Sequence, residues 1–226
     1  MPHASRRQPS RVDGGGPRVE ALDMTSPSGL QVQPVGPALA GPLLDFFRAH
    51  SRGCFCRWWH HEGDDLSWQG LCTIEPEQNE RAAETALKTE HPSAKGVVAC
   101  EGPDVVGWLK LAPSPVLAKL YGRRLYRTLS CFDGDRTRTW AIGCMLVHPE
   151  RRREGIARAL VRGALEMARA EGAVAVEATP RRPIDPQGRE HEIWMGPAAL
   201  FDELGFTRID DGPDAYPVFR HPIEAP

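Results

Sequence analysis

A chain of 226 residues, 41% hydrophobic and 26% charged, has ordinary globular usage and length enough for one sizeable core. Its net charge of -2 offers no electrostatic footprint for nucleic acid or an anionic membrane, and no stretch approaches the roughly 20 apolar residues of a spanning helix. The first residues lack the apolar run of a secretory signal, so the expected compartment is the cytoplasm. There Cys54, Cys56, Cys72, Cys100, Cys131 and Cys144 are expected as thiols rather than as a disulfide framework.

Residues 1–29 are rich in Pro, Gly, Ser and Arg and show no apolar periodicity, a composition that cannot offset its own ordering entropy. A mobile tail is expected there, with a single domain over residues 30–226. The domain should open with a strand at Gln31–Val35 and a helix at Leu39–His50, whose Leu43, Leu44, Phe46 and Phe47 form an apolar stripe. The segment Cys54–Cys72 reads as aromatic and irregular, with Trp58, Trp59, His60, His61 and Trp68. Arg81–Thr89 reads as a polar helix. Gly96–Cys100 and Val105–Leu111 flank the turn residues Glu101-Gly102-Pro103-Asp104 and predict a hairpin. Leu117–Leu129 is a basic, Tyr-bearing segment read as a helix leading into a loop.

The second half is more sharply patterned. Trp140–Val147 is almost continuously apolar, as a central strand is. Gly155–Gly172 is the clearest helix: Ile156, Leu160, Ala164 and Met167 recur on one face, Arg158, Arg162, Glu166 and Arg169 lie off it, and Gly172 stands where a C-terminal cap belongs. Ala173–Ala178 predicts another buried strand and Pro197–Leu204 a short helix stopped by Gly205. Thr207–Asp210 and Val218–His221 predict a closing hairpin. The order implies an α/β (α+β) fold with a mixed, mostly antiparallel sheet and helices on both faces.

Chemistry concentrates in the run from Cys144 to Leu160. A buried strand enters an Arg-rich loop, and Gly155 then opens the long helix. The first turn of a helix leaves N–H groups unpaired at the positive end of its dipole, an arrangement that favours a phosphate or pyrophosphate. Gly155 allows close backbone approach, Ala157 keeps the next turn slim, and Arg152 and Arg153 add charge-assisted contacts.

Arg152-x-x-Gly155-x-Ala157 resembles the signature of the GNAT superfamily of N-acetyltransferases, Arg or Gln-x-x-Gly-x-Gly or Ala. Val147-His148-Pro149, the Arg-rich loop and Leu204-Gly205-Phe206 fit the same superfamily. The early Cys54-Phe-Cys56-Arg-Trp58-Trp59 is similar to a stretch of some bacterial members. The resemblance implies a V-shaped splay between two central strands and acetyl-CoA or another acyl-CoA as co-substrate. It places the pyrophosphate on the amides of Arg153, Glu154, Gly155, Ile156 and Ala157, with Arg152 beside them. It runs pantetheine along Met145, Leu146 and Val147, with the amide of Leu146 or Met145 as oxyanion donor. A small amine or peptide is the implied acceptor, and the protein is expected as a monomer or homodimer, with no nucleic acid or membrane partner.

The chain departs from that family's acid–base pattern. Thr139, Trp140 and Ala141 hold no carboxylate at the start of the central strand, Phe201 replaces a common Tyr, and Trp194 replaces a common Asn. Substitutes are sought in Glu177, at a strand end, as the base, and in Tyr216 or Tyr126 as donor to the leaving thiolate; His148 is a further candidate. The missing groups also raise a second reading, a non-catalytic acyl-CoA sensor. Cys54, Cys56, His60, His61 and Cys72 pose a zinc question, but Cys-x-Cys is tighter than usual zinc spacing. No metal is expected, and the same residues read instead as an aromatic, thiol-bearing wall of the acceptor pocket.

Overall fold

The computed structural model describes residues 29–180, 194–210 and 217–224. The expected tail and Tyr216 lie outside the described residues. In chain order the elements are β1 (Leu30–Pro34), α1 (Ala40–His50), α2 (Asp65–Thr73), α3 (Pro76–Lys88), β2 (Gly96–Glu101), β3 (Asp104–Pro113), α4 (Ala118–Tyr121) and β4 (Thr139–Val147). Then follow α5 (Ile156–Ala170), β5 (Ala175–Ala178), α6 (Ala198–Glu203), β6 (Thr207–Asp210) and β7 (Val218–Pro222).

The strands form one sheet in the order β1-β2-β3-β4-β5-β7-β6, antiparallel everywhere except between β4 and β5. A parallel pair needs a crossover connection, and α5 supplies it. The period-2 alternation of β2 and β3 divides the core. Val97, Ala99 and Leu109 face α5, together with Ile156, Leu160, Val161 and Ala164. Val98, Cys100 and Trp108 face the other way, against Leu43, Phe47, Ala83 and Leu87 of α1 and α3. A third cluster around Trp59, Leu117, Leu120, Tyr126 and Met195 covers the sheet near the start of β4. The helix stripe read from the sequence is the buried face of α5, where Leu160 is 0% exposed.

Three segments differ from the sequence reading. The Cys54–Cys72 stretch holds a 3-10 turn at Trp58–His60 and the helix α2. The Asp64 side chain accepts from the Ser67 N–H at 2.8 Å and starts α2, which has no buried residue, so no apolar period marked it. Helix α3 begins five residues before Arg81, at Pro76, whose missing N–H costs nothing in a first turn. The Leu117–Leu129 segment keeps only the four residues of α4, because Gly122 ends the helix and turns follow.

Candidate active site

Strands β4 and β5 pair only where Thr139, Trp140 and Ala141 meet Ala175, Val176 and Glu177. Beyond Ala141, β4 continues to Val147 alongside β3 alone, so the two central strands open into a wedge. Lys110 pairs with Cys144 and Leu111 with Ile142, which leaves Gly143 as an unopposed bulge residue on β4. The Trp59 indole lies on this glycine: its Nε1 donates to the Gly143 carbonyl at 2.6 Å, and a Cβ on Gly143 would meet the ring at 3.0 Å.

The backbone direction beyond the bulge distinguishes the two candidate oxyanion donors. The His148 N–H donates to the Val106 carbonyl across the β3 side at 2.9 Å, and alternation turns the Leu146 amide to the same side. The Met145 amide points away from β3, where it donates to the Trp194 carbonyl at 2.7 Å. Of the pair, Met145 addresses the wedge. Its own side chain is buried against the α5 core, whereas Val147 is half-buried. The ring of Trp194 packs on that of Trp59 at 5.4 Å between centroids.

At the open end of β4 the chain makes one 3-10 turn, Pro149–Arg151, then two left-handed residues, Arg153 (φ 68) and Gly155 (φ 83). A left-handed non-glycine residue costs roughly 1–2 kcal/mol, and such strain gathers at functional sites. Gly155 is the N-cap of α5 and no side chain caps the helix there. A Cβ placed on Gly155 would meet only the Arg158 Nη1, at 3.8 Å, so the space beside the helix start is open. Arg152, Arg153 and Glu154 are exposed around it, Ala157 is half-buried, and Ile156 anchors the first turn in the core. Arg151 serves the scaffold. It donates to Glu101 at 2.5 and 2.6 Å and to Glu154 at 2.7 Å, and these bonds hold its guanidinium charged beyond the ordinary arginine range. The loop is thereby tied to the end of β2. His148 accepts from the Glu150 N–H at 3.3 Å and packs its ring on His50 at 4.5 Å.

Glu177, 1% exposed, is the centre of an ion-pair network. It accepts from Arg136 at 2.5 and 3.1 Å, from Arg220 at 2.6 and 3.0 Å, and from the Tyr121 hydroxyl at 2.9 Å. Burial, then the Glu177 charge, pushes the Tyr121 phenol well above its ordinary value. Burial opposes the Arg136 charge, but the Glu177 hydrogen bond together with the Tyr121 and Glu177 charges outweighs it and raises its pKa. The Arg136 guanidinium also stacks over Tyr121 at 4.3 Å and Phe132 at 4.8 Å. Sequence reasoning selected Glu177 and missed its partners. Arg220 sits directly across from it on β7, a signal that needs the β5–β7 pairing to be seen.

The early cysteines and histidines are dispersed. Among the described residues no three of His, Cys, Asp and Glu are arranged to hold a metal. His61 bonds Ser67 at 2.8 Å, while burial, with the Lys110 and Arg57 charges, pushes His60 down to about 3. Cys56 faces Trp108 across the sheet surface. In the aromatic part of this segment Trp58 packs on Trp59 and Trp68, with the Lys119 ammonium 3.7 Å from the Trp58 ring centroid.

The wedge between the parallel strands opens toward a helix start whose N-cap is a left-handed glycine with no side-chain cap. Residues 62–183 match the acetyltransferase (GNAT) family, more than half of the chain, and the chain belongs to that family. Solved structures resemble it at low identity. A GCN5-related N-acetyltransferase from Kribbella flavida is 20% identical over 87% of this chain and 99% of that chain, with a TM-score of 0.49. A ribosomal-protein-S5-alanine acetyltransferase from Vibrio fischeri is 14% identical over 87% of this chain and 94% of that one, with a TM-score of 0.49. A GNAT family acetyltransferase from Brucella melitensis in complex with acetyl-CoA is 15% identical over 86% and 88%, with a TM-score of 0.46. No curated protein matches the chain. Among the described residues no helix is long and apolar enough to cross a membrane.

Proposed function

We propose that this chain is an acyl-CoA-dependent N-acetyltransferase that moves an acetyl group from acetyl-CoA to the amine of a small molecule or peptide. The observation that carries the reading is the start of α5. Its N-cap is a left-handed glycine without a side-chain cap, facing open space, at the end of a strand that has left its parallel neighbour. The diphosphate of CoA takes the amides of Arg153 to Ala157, with Arg152 and Arg153 adding charge, and pantetheine runs along Met145, Leu146 and Val147.

In this proposal the Met145 amide stabilises the oxyanion, since it points into the wedge, and the Trp194 carbonyl that now accepts from it moves aside when the thioester enters. The attacking amine must arrive neutral, and the CoA thiolate must be protonated. Tyr216 remains the proposed donor to the thiolate. Glu177 is assigned a positioning role. Its oxygens already accept five hydrogen bonds, four from guanidinium groups and one from a phenol, and taking up a proton would break that network. It anchors Arg136, Arg220 and Tyr121 at the floor of the wedge.

The test is release of free CoA thiol from acetyl-CoA over a panel of amines, aminoglycosides, amino acids and peptides. Amine-dependent release with a matching acetylated product is expected, and Tyr216→Phe should lower kcat with little change in KM. Tight acetyl-CoA binding with no release on any amine would overturn the transferase reading in favour of a sensor.

A further inference from the structure

The Cys54-Phe-Cys56 motif is absorbed neither by a metal nor by the acyl-transfer site, yet its backbone is strained. Phe55 (φ 44) and Cys56 (φ 56) are consecutive left-handed non-glycine residues, both buried. Such a conformation costs roughly 1–2 kcal/mol per residue, and the surroundings must hold it. The strain aims the Cys56 sulfur at the sheet. Trp108 Nε1 donates to it at 3.2 Å, and Cys144 of β4 packs against the same buried cluster that holds Cys56 and Trp108. Lys110 lies on the same face, two residues from Trp108 and directly across from Cys144 in the β3–β4 register.

Lys110 is 1% exposed, and its ammonium donates to the Ser93 carbonyl at 2.5 Å. Burial lowers its pKa, and the charge that most supports its protonated form is that of Cys56. Burial also disfavours a Cys56 thiolate. The Cys144 hydrogen bond, the Lys110 charge and the Trp108 N–H together outweigh it, so Cys56 holds the negative charge below the ordinary thiol range while Cys144 keeps its proton. Cys54 is excluded as the nucleophile, since burial pushes its thiol up to about 12. A cavity of about 20 Å³ adjoins Cys56, Lys110, Trp108, Arg57 and Ser93. That is room for about one water, and one oxygen of hydrogen peroxide takes the same space.

We propose that Cys56 and Cys144 form a hydroperoxide-reactive pair, in which Cys56 is the nucleophile and Cys144 resolves it to a disulfide.

The reaction balances within the cluster. The Cys56 sulfur attacks one oxygen of hydrogen peroxide, an S–O bond forms, the O–O bond breaks, and the departing hydroxide takes a proton from Lys110 and leaves as water. Cys144 gives its proton to the Lys110 amine, and its sulfur attacks the Cys56 sulfenic acid. The S–S bond forms as the S–O bond breaks, and the second hydroxide takes that proton and leaves as water. Two thiol sulfurs lose two electrons and the peroxide gains them. Lys110 ends neutral, the state a buried amine prefers once its thiolate neighbour is gone.

Reduced full-length protein exposed to a small excess of hydrogen peroxide near neutral pH, then denatured in iodoacetamide and peptide-mapped, tests the pair. Cys56 and Cys144 should leave the alkylated set together and appear as one cross-linked peptide that dithiothreitol releases, with Cys54, Cys72, Cys100 and Cys131 still alkylated. Cys144→Ser should stop at a Cys56 sulfenic acid that dimedone captures, and Lys110→Met should slow the reaction about tenfold or more. If Cys56 and Cys144 both stay alkylatable at a dose that oxidises free cysteine, or if cross-links join other cysteines instead, the proposal is overturned. The wild-type map decides this even if a variant fails to fold, and none of these readouts depends on acyl transfer.

Discussion

The two faces of the sheet are built on different rules. On the α5 face, Leu160, Val161 and Ala164 meet Val97, Ala99 and Leu109, and the interior is apolar throughout. On the opposite face, above β3 and β4, the same sheet carries a buried Lys110, the thiols of Cys56 and Cys144 in one cluster, and two indoles that donate to a sulfur and to a backbone carbonyl. The apolar face is tolerant of detail and is stabilised by area. The polar face depends on particular partners, since a buried polar group left unpaired costs about 1–3 kcal/mol. Two consecutive left-handed residues, Phe55 and Cys56, lie on the polar face. The α5 face holds the sheet together through apolar area, and the other face through particular partners.

The contrast is sharpened by substitutions on each side. Leu160→Ala, on the apolar face, should lose about 3–4 kcal/mol through transfer and cavity terms, read as a lower urea midpoint at unchanged slope. Glu177→Gln should cost about 3 kcal/mol, near the low end for a broken buried pair because the Arg220 side chain is 35% exposed. If Glu177 acted instead as a catalytic base, this variant would keep its Tm and lose activity most steeply. Trp59→Phe keeps the ring packing but removes the donor to Gly143, and about 1–2 kcal/mol should be lost by thermal unfolding. A further effect is pH-dependent. The folded-state value of His60, about 3, lies below the unfolded value of 6.5. The unfolded chain therefore binds the proton first, and this contribution to stability is present above pH 6.5 and lost as pH falls toward 3. His60→Gln should flatten the fall of Tm between pH 7 and 4; an unchanged slope would remove His60 from the account.

Legibility followed the same division between faces. The period of Ile156, Leu160, Ala164 and Met167 read directly onto the buried face of α5, and the Gly102-Pro103 turn marked the β2–β3 hairpin, because one-dimensional period and turn chemistry encode those features. The Cys54–Cys72 segment has no period to read. Its helix α2 is capped by Asp64 and exposed at Leu66. The partners of Glu177 come from residues 121, 136 and 220, and those of Cys56 from residues 108 and 110, far apart in the chain, so only the folded structure brings them together. The strand that carries Met145 was readable; that its amide and not that of Leu146 faces the wedge is a consequence of the Gly143 bulge and the register with β3.

The central claim is that the amides at the start of α5 receive the diphosphate of CoA. Isothermal titration of acetyl-CoA into the wild-type chain and into Gly155→Glu tests it most directly, with circular dichroism of both as a folding control. Saturable binding by the wild type is expected, weakened at least about a hundredfold in a folded Gly155→Glu, where a carboxylate side chain and a disfavoured backbone conformation meet at the anion site. Equal affinity in the two proteins, or no wild-type binding near millimolar acetyl-CoA, would contradict the claim.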